Sequence, residues 1–139
     1  MFVSLNLLLI ARSRQALQPV MIALEGQQVL ELTPYILNPG QILLPEYLRP
    51  MPEGLIFVVD EEWRQGIWET IDRIPTPRPA IFIITSANDM ETLRLAMRYG
   101  VRDVFSMPLE VDDFTKTVLK VVHEERQRSG QGGRVSSPS

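Results

Sequence analysis

The sequence predicts an α/β domain: a three-layer, doubly wound arrangement with helices on both faces of a five-stranded parallel sheet. Two observations carry this. Five short apolar runs punctuate the chain, and between them apolar residues recur at helical spacing. Strands that alternate with helices in this way are covered on both faces, so they read as nearly continuous apolar runs. A chain of 139 residues is close to the commonest domain size, and one core is expected.

The first run is Leu5-Asn6-Leu7-Leu8-Leu9-Ile10. Leu17, Val20, Met21 and Leu24 then share a helical face, and Gly26 supplies a stop. Pro19 fits only the first turn of a helix, so this helix should start later than Ser13 suggests, or kink. Gln28 to Leu32 is the second strand. From Tyr35 to Pro52 the chain is irregular, with Pro34, Pro39, Pro45, Pro50 and Pro52, and Ile42, Leu43, Tyr47 and Leu48 suggest one short helix held between prolines.

Leu55 to Val59 is so apolar that it should be a central strand, ended by Asp60. Trp63, Ile67, Ile71 and Ile74 mark an amphipathic helix, which Pro75, Pro77 and Pro79 stop. Ala80 to Ile84 is the fourth strand. Asn88 followed by Glu91 resembles a capping box, opening a helix that should turn Met90, Leu93, Ala96 and Met97 inward until Gly100. Val101 to Ser106 is the fifth strand, and Val111, Phe114, Val118, Leu119 and Val122 define the last helix. The domain should occupy residues 1–128. The small, polar stretch 129–139 should be a disordered tail or linker.

Composition excludes several classes. There is no cysteine and one histidine, His123, so thiolate chemistry, clustered-histidine metal sites and a Ser-His dyad have no basis. A net charge of -3 gives no global attraction to nucleic acid. No apolar run approaches the ~20 residues of a membrane span. Leu5 to Ala11 lacks a basic stretch before it and reads as a buried strand, not a signal peptide. A cytoplasmic location, no membrane insertion and no cofactor are the expectations.

From Pro79 to Val122 the chain resembles the second half of a response-regulator (CheY-like) receiver domain. The residues concerned are Ile83-Ile84-Thr85 at a strand end, Ala96-Met97-Arg98-Tyr99-Gly100-Val101-Arg102-Asp103, and Met107-Pro108-Leu109. The wording of the last two segments is similar to a narrower group, the atypical receivers at the N-terminus of TadZ/CpaE pilus-assembly proteins. The resemblance implies a (βα)5 flavodoxin-like fold with strand order 2-1-3-4-5 and a cis Met107-Pro108 peptide. It further implies a role in Flp/Tad pilus assembly, with a ParA/MinD-like ATPase domain downstream. No G-x-x-x-x-G-K-[ST] loop occurs within these residues.

A phosphorylatable receiver holds Mg²⁺ with two acids after strand one and an Asp after strand three, which is also the nucleophile. A lysine after strand five offsets the phosphoryl charge. Here Ala11 and Arg12 stand in the place of the acids and Met107 in that of the lysine, while Asp60 and Thr85 keep the acceptor and hydroxyl positions. Asp60 has two readings, helix cap or cryptic phosphoacceptor. So has Arg12: a solvated strand-end residue, or a guanidinium laid against Asp60 in place of the missing cation.

What such a domain retains is surface. Receivers of many kinds pair through their fourth helix, fifth strand and fifth helix. Here that helix should present Leu95 and Tyr99 on an outer edge beside a basic stripe of Arg94, Arg98 and Arg102, with Asp112, Asp113, Glu124 and Glu125 nearby. An apolar edge between opposite charges suits a homodimer. The leading expectation is a non-enzymatic pseudo-receiver that mediates protein contacts. A phosphorylatable receiver acting through Asp60 is the alternative, and a small-ligand or flavin binder ranks third, for want of a glycine- or hydroxyl-rich phosphate cradle.

Overall fold

A computed structural model describes residues 4–86 and 89–135. Five strands form one parallel sheet in the order β2-β1-β3-β4-β5. In chain order they are β1 (Leu5–Ala11), β2 (Leu30–Ile36), β3 (Gly54–Val59), β4 (Ala80–Thr85) and β5 (Asp103–Ser106). Helices α1 (Arg14–Ala23), α2 (Ile67–Asp72), α3 (Met90–Arg98) and α4 (Val111–Val135) cover it.

The period of two along a strand divides the core in two. Leu5, Leu7 and Leu9 of β1, Ile56 and Val58 of β3, and Phe82 and Ile84 of β4 face α1 and α4. Leu8, Ile10, Leu55, Phe57, Val59, Ile81 and Ile83 face the other way, toward α2 and α3. Every residue of β3 and β4 is buried, which is why those two runs contain almost nothing polar.

The connection between β2 and β3 departs from a (βα)5 plan. In place of the expected short helix there is one 3-10 turn at Pro45–Tyr47. Each proline removes a backbone donor, and four of them within this connection leave no stretch long enough for a helix. Leu37 and Leu43 nonetheless bury themselves on the α2 side of the sheet, so two leucines cover the face that a helix would. β2 itself runs on to Ile36 and takes in Pro34. That is tolerated because β2 is an edge strand, whose outward N–H groups have no neighbour to reach.

The helices show how local and tertiary preferences settle. Ser13 caps α1, its side chain accepting from the Ala16 amide, and the helix carries Pro19 in its interior instead of starting after it. The continuous helix expected over Trp63 to Ile74 is a 3-10 turn at Glu61–Trp63 followed by α2, with Gly66 at the N-cap of α2. Trp63, Ile67, Ile71 and Ile74 are all buried as expected.

α3 is rotated relative to its expected face. Ala96 points inward, but Met90, Leu93 and Met97 are 73%, 37% and 81% exposed. The inward side is Thr92, Leu95, Ala96 and Tyr99. Both sets satisfy helical spacing. The choice is made by α2, whose Trp68 stacks on Tyr99 with ring centroids 5.6 Å apart. Asp89 caps the helix by accepting from the Thr92 amide at 2.8 Å. Asn88, the cap expected from sequence, lies outside the described residues.

At the far end of α3 the Arg78 guanidinium donates to the carbonyls of Ile71 (2.9 Å) and Tyr99 (2.6 Å), tying the ends of α2 and α3 together. Gly100 has φ +79°, and a Cβ there would lie 3.1 Å from Arg78 Nη2, so conformation and contact both favour glycine. α4 buries Phe114, Val118, Val121 and Val122. It stays helical to Val135, into the stretch expected to be a linker.

Phe114 is fully buried and meets Phe105 edge-on, with centroids 4.8 Å apart. Phe114→Ala should therefore lower unfolding stability by about 3–5 kcal/mol, the usual cost of an aromatic cavity. Urea denaturation followed by circular dichroism checks this.

Candidate functional site

The strand register brings the candidate residues to one edge of the sheet. Ile10 lies opposite Phe57, Val59 opposite Thr85, and Thr85 opposite Ser106. The segments after β1, β3, β4 and β5 thus emerge side by side at the carboxyl edge, where open α/β sheets place their sites. The Met107 amide donates to the Thr85 carbonyl at 3.2 Å, and Met107–Pro108 is a cis peptide. Thr85 is buried.

Asp60 has a structural task. Its Oδ1 accepts from the Trp63 amide at 3.0 Å, capping the 3-10 turn that follows β3. This is the cap reading of Asp60. Arg12 lies neither against Asp60 nor free in solvent. Its guanidinium carbon is 5.2 Å from the centroid of the Trp63 ring, a cation–π contact. No ion pair among the described residues joins Arg12 to Asp60. No local pattern marks this contact, which depends on the turn that Asp60 caps bringing the Trp63 ring to the end of β1.

These residues do not fit a receiver's Mg²⁺. A divalent cation needs several oxygen ligands. Ala11 supplies none and Arg12 brings positive charge, while the carboxylate of Asp60 is engaged with a backbone amide. Among the described residues, no group of three or more Asp, Glu, His or Cys is placed to share a metal.

The surface candidates divide. Arg94 and Arg98 are exposed. Leu95 and Tyr99 are not on an outer edge, because they pack against the α2 side of the core. Arg102 is not part of a free basic stripe: it pairs with Glu124 at 3.7 Å and with Glu125, both on α4. The outward apolar residues of α3 are instead Met90, Leu93 and Met97.

Asp89 is a further electrostatic element. Its carboxyl is held below the ordinary range by hydrogen bonds from Thr92, through the backbone amide and the side chain, and secondarily by the Arg64 guanidinium paired with it. The pair fastens the start of α3 to the turn after β3. A depressed carboxyl contributes stability above its unfolded pKa and loses it as pH falls through the folded value.

No family profile matches the sequence, and no curated protein does. Solved structures do. A response regulator from Thermotoga maritima matches with a TM-score of 0.65 at 16% identity, over 87% of this chain and 99% of that one. A pilus assembly-related protein from Burkholderia pseudomallei matches with a TM-score of 0.64 at 15% identity, over 88% and 94%. A CheY-like protein, TadZ, from Pseudomonas aeruginosa gives 0.63 at 15%, over 84% and 98%. The chain has the CheY-like receiver fold, and its structural neighbours include both signalling receivers and pilus-assembly proteins.

Asp89→Asn should be less stable than the parent at neutral pH. The difference should shrink as pH falls below 3.8, the ordinary value for Asp. Parallel thermal melts from pH 7 to 3 measure this.

Proposed function

We propose that this chain is a non-catalytic pseudo-receiver that serves as a protein-docking module in a pilus-assembly apparatus, on the cytoplasmic side. The observation that carries the reading is the state of Asp60. It caps the turn through Trp63, with Arg12 where metal-binding acids would be and Met107 where a lysine would be. A carboxylate attacks an anionic phosphoryl group only when cations offset the repulsion between them. The pilus setting rests on the similarity of the Ala96–Leu109 wording to TadZ/CpaE proteins and on pilus-assembly proteins among the structural neighbours. In that setting the domain would precede an ATPase domain.

The test is direct. Incubation with acetyl phosphate and Mg²⁺, followed by intact-mass analysis, should give no phosphate adduct. An adduct that disappears in Asp60→Asn would instead establish a phosphorylatable receiver.

The docking face in this proposal is the outward side of α3. Met90, Leu93 and Met97 form an apolar strip flanked by exposed Arg94 and Arg98. The first turn of α4 presents exposed Asp112 and Asp113, so a second copy of the chain offers charges that complement the arginines around a two-fold axis. Met97→Glu and Arg98→Glu should each weaken self-association about tenfold or more, roughly 1.4 kcal/mol. Sedimentation velocity across a concentration series reads this out, and an unchanged profile for both variants excludes the face.

A further inference from the structure

We propose that Met90 and Met97 form a reversible oxidation site, and that conversion of their thioethers to sulfoxides releases a second copy of the chain from the outward face of α3. The inference rests on the docking reading and names how that face is regulated.

The chain has no cysteine. A peroxide therefore finds no thiol, and the methionine thioethers are the side chains it oxidises most readily. They are not equally open to it. Met97 and Met90 are 81% and 73% exposed, against 47% for Met51, while Met21 and Met107 are partly buried against the core.

The two most open methionines also lie together. They are about two turns apart on one face of α3, with Leu93 between them. Leu93 is the least exposed of the three, so the thioethers supply most of the apolar surface that the strip presents. Thioethers suit a contact surface because they are apolar and adapt their shape to a partner.

Oxidation removes that property. A sulfur lone pair attacks one oxygen of a hydroperoxide, the O–O bond breaks, and an S=O group forms as water or an alcohol leaves. Sulfur is oxidised and the peroxide reduced, with no further reactant. The product is polar where the parent side chain was apolar. It also competes for charge. Arg94 follows Met90 by one helical turn and precedes Met97 by another, the spacings at which helix side chains meet. Arg94 takes part in none of the ion pairs among the described residues. A sulfoxide oxygen on either side can accept from its guanidinium, which the docking reading directs at the acids of a second copy. The contact works in reverse as well: a dimer that covers the strip shields both sulfurs from peroxide.

Treatment of the full chain with hydrogen peroxide, followed by peptide mapping and sedimentation velocity, tests this. Met90 and Met97 should convert before Met21, Met51 and Met107, and more slowly at concentrations where the chain self-associates. The oxidised chain should associate about tenfold or more weakly. Methionine sulfoxide reductases of both stereospecificities, with a thiol reductant, should restore it. A double variant, Met90→Leu with Met97→Leu, keeps the strip apolar and should associate like the parent with or without peroxide. A parent that never self-associates overturns the docking reading and this inference together. Three results overturn the inference alone: conversion of Met51 ahead of the pair, an oxidised parent that stays associated, or a double variant that loses association on oxidation.

Discussion

Everything in this domain follows from three central strands that must be covered on both faces. β1, β3 and β4 contribute one set of side chains to the α1–α4 side and the alternate set to the α2–α3 side. Neither side can be left open, because each presents a continuous apolar surface that water disfavours at roughly 25 cal/mol per Å². The irregular connection between β2 and β3 is the clearest consequence. Prolines deny it a helix, yet it still delivers Leu37 and Leu43 to the sheet, since covering the face matters more than the regularity of what covers it.

Much of this architecture was legible in the sequence, and the limits were physical. The strands announced themselves because burial on two faces removes polar residues from them. The phase of α3 did not. Met90, Leu93 and Met97 and the set of Thr92, Leu95 and Tyr99 both repeat at helical spacing, and methionine is the more apolar choice. What decides is the stack of Trp68 on Tyr99, a long-range contact that no local pattern encodes. For the same reason Arg102 read as one of three free arginines although glutamates of α4 neutralise it.

The candidate site was legible by position and not by partner. Register alone places Asp60, Thr85 and Met107 at neighbouring strand ends, and the substitutions at Ala11, Arg12 and Met107 could be read directly. What Arg12 touches could not. The choice between pairing with a carboxylate and lying over an aromatic ring depends on the turn Asp60 caps, which carries Trp63 back over the end of β1. One local hydrogen bond thus settles the surroundings of a residue nearly fifty positions away in sequence.

Pro34 also bears on how this molecule can assemble. It lies within the outer strand β2, and the opposite edge, β5, is only four residues long and begins with Asp103. A sheet with edges of this kind is a poor template for another strand. Growth by adding strands, the route to open-ended fibres, is therefore discouraged at both ends. That leaves the helices and loops as the surfaces on which a contact can form.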